Sequence, residues 1–505
     1  MVDMKSAEDT QIDFTPDALE AAGALHPSYD PGYVYPTDPV VARSLEHWQD
    51  LKLGVIIHWG IYTTIGQAGS WSLHRGHLGD FTDPPREFEG SDAEYHRWYY
   101  DQRHRFSAED FDATQWADLC ATAGMKYAVV TTKHHDGFAL YDTAYSNLKV
   151  TAEDVLPGRD LYREMVDAFR EAGLETGVYF SKADWARPEY WDLARPIADR
   201  FHNYSIEEDP ERWERFINFS HGQIEELLKN YGPMNVLWLD AGWVRAPEED
   251  FHIDAVARLA RRIQPGILVV DREVHGEHEN YRTPEQELPD RRLDYPWESC
   301  ITWTKSWCST RKDEPCKPTS EIVANLLRIC ARGGNYLVGF GPDATGALSV
   351  HVQSGLRELG AYMATHGAGI YGTRSLANPP DIEQLEGVAH EWFMVRKPAR
   401  GSDGGTAPKV SAHVKASVHV EDGDRLFLYG VPQGGVCSPA RLRVTGTYRD
   451  AINLGGGTAR VSVYAAPSGM ASSRTLAGSG IPYTTIDIAP GTDETDMGYV
   501  IELLR

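Results

Sequence analysis

Basic residues are scarce in this chain. Forty-nine Lys and Arg face 74 Asp and Glu, a formal charge of -25 over 505 residues. Such a field repels phosphate backbones and anionic lipid, so it argues against nucleic-acid binding and favours a neutral substrate or a locally basic pocket. Cysteine is also scarce. The six are Cys120, Cys300, Cys308, Cys316, Cys330 and Cys437. None forms a CxxC pair, and the even spacing of Cys300, Cys308 and Cys316 does not match zinc ligands. No run of about 18 apolar residues is present, so no membrane span is expected. The first residues, MVDMKSAEDTQIDF, lack the basic and apolar regions of a secretory signal. A cytoplasmic location is therefore the expectation, with secretion the alternative where a leader has been removed. No repeat of fixed period occurs, and no G-x-S-x-G elbow supports a serine nucleophile.

What is present is enough hydrophobic residue, 42%, to bury a large core. Residues 1–45 are polar and acidic and read as an N-terminal arm. Short apolar runs follow: LGVII (53–57), KYAVVTT (126–132), ETGVYFS (175–181), MNVLWLD (234–240), ILVVD (267–271) and NYLVGF (335–340). Near-continuous Val, Ile and Leu suit strands buried on both faces of a parallel sheet. The stretches between them have helical periodicity. In RDLYREMVDAFREAG, Leu161, Met165, Ala168, Phe169 and Ala172 share a stripe. PTSEIVANLLRICARGG and GQIEELLKNYG behave likewise. After residue 375, alternating segments such as HVKASVHVE, RLFLYGV, RLRVTGT, ARVSVYAA and GYVIELL read as an antiparallel β-sandwich. The expected fold is a (β/α)₈-like barrel over 46–375 and a β-sandwich over 376–505. The 74–105 stretch reads as a long loop of the kind that forms lids or binding loops.

Chemistry-bearing side chains gather where the apolar runs end. The first run leads into His58-Trp59-Gly60, the second into Lys133-His134-His135-Asp136-Gly137, the fourth into Trp238-Leu239-Asp240, and the fifth into Asp271-Arg272; the third carries Tyr179. In a (β/α)₈ barrel all strand C-termini open onto one face, where active sites form. Each residue has a plainer reading. A strand-end His can bond a neighbouring backbone group. Asp240 can cap the next helix. Arg272 can pair with Asp271 or Glu298, and Trp59 and Trp238 can pack the barrel mouth. Five strands placing such residues together is harder to dismiss. A metal held by His134 and His135 is not expected, because adjacent residues of a regular strand point to opposite faces. Imidazoles among aromatics suit a neutral polyol.

At these residues the chain resembles the α-L-fucosidases of glycoside hydrolase family 29. The resemblance is carried by LGVIIHWGIYT, KYAVVTTKHHDGFALYDT, GRDLYREMVDAFREAGLETGVYFS, LLKNYGPMNVLWLDAGW, ENYRTPEQELP, PWESC and GGNYLVGFGPDATG, over about residues 50–375. It implies a retaining exo-glycosidase for terminal α-L-fucose on oligosaccharides or glycoconjugates, with no cofactor and no metal. It implies Asp240 as nucleophile, His58, His134, His135, Tyr179, Trp71, Trp238 and Arg272 as sugar-binding residues, and Glu285 as acid/base. Glu298 competes for that last role, as do Glu273, Glu277, Glu279 and Glu287. Many members carry a Glu just before the residue matching Trp71, where this chain has Ser70. The alternatives are a non-catalytic glycan-binding protein on the same barrel, or an exo-glycosidase for a related sugar such as galactose. The 74–105 loop and the 291–317 segment, with Trp303 and Trp307, are expected on the aglycone side. Linkage preference and homo-oligomer formation stay open.

Overall fold

The computed structural model describes residues 32–67, 69–75, 88–272, 274–309, 312–399, 423–433, 437–446, 448–464, 483–490 and 497–504. The polar lead-in ends earlier than residue 45. Asp38 accepts from the Val40 N–H, Pro39 occupies the first turn, and helix α1 runs Pro39–Leu51. Its buried stripe Val41, Leu45 and Trp48 joins Ile56, Val129, Val236, Leu268, Cys300 and Leu337, so the helix plugs the interior of the barrel that follows.

That barrel is built from β1 (Leu53–Ile57), β2 (Tyr127–Lys133), β3 (Glu175–Ser181), β4 (Val236–Asp240), β5 (Leu268–Val270), β6 (Glu298–Thr302) and β7 (Asn335–Phe340). All pairs are parallel, in the order β5-β4-β3-β2-β1-β7-β6. The gap between β5 and β6 is spanned by an irregular stave, residues 280–286. Its Asn280 N–H donates to the Val269 carbonyl on one side. On the other, Arg282 and Gln286 donate to the carbonyls of Pro296 and Cys300, while Glu298 and Cys300 donate to those of Arg282 and Pro284. The expected (β/α)₈-like barrel thus has seven strands and one irregular stave. The β6 segment, ESCIT, lacks the branched-chain run that marks the others.

The connecting helices are α2 (Asp92–Asp101), α3 (Ala113–Thr122), α4 (Leu161–Glu171), α5 (Pro210–Asn230), α6 (Ile253–Ile263), α7 (Thr319–Arg332) and α8 (Val350–His366). They bury stripes such as Leu161, Tyr162, Met165, Val166 and Phe169 against the strands' outer faces. Within the 74–105 stretch the structure corrects the loop reading. Ser91 and Glu94 form a capping box that starts α2, and a helical turn continues through Arg105. Residues 76–87 of that stretch lie outside the described residues. Among the described residues, no helix is long and apolar enough to cross a membrane, and the six cysteines are free thiols.

Two antiparallel sheets follow, made of β8 (Arg374–Ser375), β9 (Ile382–Gly387), β10 (His390–Lys397), β11 (Arg425–Pro432), β12 (Ala440–Thr445), β13 (Asp450–Asn453), β14 (Thr458–Tyr464), β15 (Tyr483–Ala489) and β16 (Tyr499–Leu504). Their orders are β13-β16-β11-β10-β8 and β14-β15-β12-β9. Met394, Leu426, Leu428, Leu442, Val444, Ile486, Ile488 and Ile501 fill the space between them. The alternate residues Val395, Phe427, Tyr429 and Val500 pack instead into the main core, seating the first sheet on the barrel. The HVKASVHVE segment lies outside the described residues.

Candidate active site

Strand alternation explains which side chains reach the barrel mouth. Val236 and Trp238 point inward, so Asp240, two further on, does too. The same parity links Ile56 to His58, Leu268 and Val270 to Arg272, and makes Tyr179 an inward residue. Strand β2 breaks the pattern. Its register against β3 shifts between Thr131 and Lys133, so that Lys133 lies opposite Phe180 and turns outward. Its ammonium is buried against Asp184 at 2.6 Å. The strand ends there, and His134 and His135 follow in a turn with ring centroids 4.2 Å apart. The opposite-face argument against a shared ligand therefore fails. One atom each of His134, His135 and Asp240 lie within 4.8 Å of one another, a spacing that could hold a metal ion.

Asp240 is the hub. Arg272 Nη1 donates to its Oδ1 at 2.5 Å, the Tyr179 hydroxyl donates to its Oδ2, and His135 Nε2 stands 3.8 Å from Oδ2. The other arm of the Arg272 guanidinium, Nη2, pairs with Glu285. One cation thus bridges two buried carboxylates, one at a strand end and one on the irregular stave. Asp240 does not cap the next helix, and Arg272 pairs with neither Asp271 nor Glu298. Lys182 takes Asp271 instead, at 2.5 Å.

Burial alone would raise the Asp240 carboxyl, but Arg272 and the Tyr179 hydroxyl hold it well below the ordinary carboxylate range. His135 adds little charge, since burial keeps that imidazole neutral. Burial likewise pushes His58 down to about 3 and His134 down to about 4. At neutral pH the pocket therefore combines one guanidinium, two carboxyl groups and three neutral imidazoles. Nδ1 of His58 and Nδ1 of His135 are buried with no protein partner among the described residues.

Aromatic rings form the walls. His135 is packed by Trp71, Trp185 and Trp243 at ring distances of 5.3, 5.0 and 5.0 Å. Trp307 lies 4.9 Å from His58. Trp238 is stacked on Tyr179 beneath the mouth, with Arg272 5.5 Å above its ring. Trp185 and Trp243 were not singled out from sequence. Their signal was position, one residue after the strand-following Asp184 and three after Asp240. Trp303 departs from expectation: it is fully buried in the core, with its indole N–H bonded to the Lys317 carbonyl at 3.0 Å.

The competing carboxylates lie elsewhere. Glu298 opens β6 at the opposite end of the barrel interior, below Trp238, whose indole N–H reaches it at 3.3 Å, and it also accepts from the Tyr127 hydroxyl. Burial raises it to about 7. Glu279 is tied to Arg282 at 2.6 Å, and Glu277 is exposed beside His278. Glu287 is half-buried beyond Glu285, with its backbone carbonyl bonded to the Ser299 hydroxyl. Glu273 lies outside the described residues. Ser70, where the resemblance led to a Glu, contacts His134 through its hydroxyl at 2.5 Å.

A family model described as alpha-L-fucosidase matches residues 23–368. The plasma alpha-L-fucosidase of Rattus norvegicus is 30% identical over 374 residues, covering 70% of this chain and 75% of the rat protein. The structure of alpha-L-fucosidase isoenzyme 1 from Paenibacillus thiaminolyticus superposes with a TM-score of 0.68 at 26% identity, covering 92% of this chain and 99% of that one. A Bacteroides thetaiotaomicron alpha-L-fucosidase of glycoside hydrolase family 29, trapped as a covalent intermediate, shares the fold with a TM-score of 0.64 at 21% identity, covering 94% and 98%.

Proposed function

From the premise that this chain belongs to the alpha-L-fucosidase family and is a glycoside hydrolase, we propose that it removes terminal α-L-fucosyl groups from oligosaccharides or glycoconjugates with net retention, Asp240 acting as nucleophile and Glu285 as acid/base. The observation that carries this reading is the Asp240–Arg272–Glu285 bridge. Two carboxyls on the two arms of one guanidinium are neighbours, as retaining glycosidases require with a separation of about 5–5.5 Å.

The charge balance assigns the roles. With both carboxyls ionised the trio carries one net negative charge, and one added proton makes it neutral. Arg272 faces both carboxyls, but the Tyr179 hydroxyl donates to Asp240 alone of the two, which supports Asp240 as the ionised nucleophile and leaves the acid's role to Glu285. In the first step an Asp240 oxygen attacks the anomeric carbon while Glu285 gives its proton to the leaving oxygen. The anionic Asp240 also favours the positive charge that develops on the sugar. In the second step Glu285 takes a proton from water, whose oxygen replaces the aspartyl ester. His58, His134 and His135 bond the sugar hydroxyls, and Trp71 and Trp243 offer apolar surface to the C6 methyl that distinguishes fucose from galactose.

The covalent trapping named for the Bacteroides relative supports a double displacement here. The test is proton NMR of the sugar first released from 4-nitrophenyl α-L-fucoside. Retention predicts the α-anomer before mutarotation; the β-anomer would overturn the mechanism. Asp240→Asn should lower turnover by orders of magnitude while the melting temperature stays within a few degrees. Retention of more than about a tenth of wild-type turnover would remove Asp240 from the role.

A further inference from the structure

Ser70 opens the helical turn Ser70–His74 that follows β1 and is fully buried. Both its backbone N–H and its hydroxyl face Nδ1 of His134, at 3.4 Å and 2.5 Å. A backbone N–H can only donate. The nitrogen facing it therefore presents a lone pair, and the Ser70 hydroxyl donates to the same lone pair. A neutral imidazole with its lone pair on Nδ1 carries its proton on Nε2. His134 is such an imidazole: it is buried, and among the described residues no carboxylate touches Nδ1 to make it cationic. The rings packed around it, His58 at 6.0 Å, Tyr62 at 5.5 Å and His135 at 4.2 Å, bring no charge of their own.

We propose that Ser70 is a positioning residue that locks His134 in the Nε2–H form. The lock makes His134 a fixed donor to the substrate and keeps the His134–His135–Asp240 cluster from taking a divalent cation. The inference rests on the fucosidase reading for the identity of the substrate but not for the state of the ring. A metal needs an imidazole lone pair. In His134 that lone pair is covered by Ser70, and the other nitrogen is protonated. Distances alone would otherwise allow the three residues to converge on an ion. The remaining pair, His135 and Asp240, has the Arg272 cation already seated on Asp240.

The first test reads the wild-type ring directly. In protein labelled with ¹⁵N-histidine, assigned by comparison with His134→Gln, Nδ1 of His134 should resonate as an unprotonated nitrogen and Nε2 as a protonated one at neutral pH. The reverse pattern, or a mixture of tautomers, overturns the proposal. The second test inverts the lock. In Ser70→Asp the carboxylate accepts a proton-bearing Nδ1, which frees the Nε2 lone pair in the manner of carboxylate–histidine–zinc arrangements. Calorimetry with zinc chloride should then show binding at least about tenfold tighter than in the wild type, the lower bound for such a partner. Equal zinc affinity in the two proteins counts against the lock, and an unfolded variant leaves the wild-type spectrum to decide. Both readouts are made without any fucoside. A wild type that released no nitrophenol would count against the fucosidase reading and leave this one standing.

Discussion

Arg272→Met is the most demanding perturbation of the bridge. Methionine fills much of the arginine volume but carries no charge, and the position is buried. The variant loses the Nη1 bond to Asp240 at 2.5 Å and the Nη2 pairing with Glu285. Removing one partner of a buried ion pair costs about 3–5 kcal/mol. Set wholly against the transition state, that lowers kcat/KM by about 10²–10⁴-fold. The pH profile supplies an independent sign. In the wild type Asp240 is held well below the ordinary carboxylate range, chiefly by Arg272 working against burial. It is therefore ionised across the working range and does not set the acid limb. In Arg272→Met burial remains and the cation is gone, so the Asp240 pKa rises. Activity should then climb with pH as Asp240 ionises, and the acid limb should move to higher pH. Stability follows the same sign. The depressed Asp240 stabilises the wild type above its unfolded pKa of about 3.9 and loses that contribution as pH falls toward its folded value; the variant should not show that acid loss. The assay is nitrophenol release from 4-nitrophenyl α-L-fucoside between about pH 4 and 8, beside melting curves. A variant within tenfold of wild type, with an unmoved acid limb, would refute the bridge as the source of the site's charge balance.

Glu285→Ala should recover turnover of the nitrophenyl substrate when azide is added, whereas Glu298→Ala should not; rescue of the second variant alone would move the acid/base role to Glu298. Burial lifts both Glu298 and Asp136 to about 7, so each stabilises the fold most below its unfolded pKa and loses that contribution as pH rises through about 7. The melting temperature should accordingly fall between about pH 5 and 8, and Glu298→Gln should flatten part of the fall, by roughly 3 kcal/mol at most; an unchanged slope would mean Glu298 is already ionised. Lys182→Met strands Asp271 in the core and should cost about 3–5 kcal/mol in denaturant unfolding, while Lys182→Met with Asp271→Leu should cost clearly less. Additive losses would show that the pair is not coupled.

The parts of this molecule legible in sequence were those encoded locally. Strands β3 and β7 begin and end where the apolar runs do, because a strand buried on both faces needs an unbroken run. The inward parity of Trp238 and Asp240 follows from the two-residue repeat alone. Helix α2 was encoded too, in the Ser91–Glu94 capping box, but charge and aromatic content masked it. The remainder was illegible because its partners are distant. Nothing near Lys133 names Asp184 as the residue that turns it outward, and nothing near Lys182 names Asp271. The β2 register shift that brings two adjacent imidazoles to one pocket is likewise a property of pairing with β3.

The irregular stave makes the same point for catalysis. A regular eighth strand would fix an inward side chain at each second residue and direct it across the barrel interior, where Glu298 lies with Tyr127 and Trp238. Residues 280–286 instead hydrogen-bond to β5 at one end and to β6 along the other, with Pro284 immediately before Glu285 withholding a backbone donor. The inward parity nevertheless holds: Tyr281 faces the barrel interior, and Glu285, four residues on and bridged to Cys300, reaches the free arm of a guanidinium whose other arm holds Asp240. The stave, pinned by backbone bonds, thus delivers this carboxylate to the mouth as the end of β4 delivers Asp240, whereas Glu298, at the start of β6, stays at the far end of the interior. Moving Glu285 by one residue, through insertion of an alanine between Pro284 and Glu285 with compensating deletion of Gln286, should therefore lower turnover by orders of magnitude, with recovery on added azide, while the fold persists. Survival of turnover in that variant would show that the acid/base does not depend on the stave.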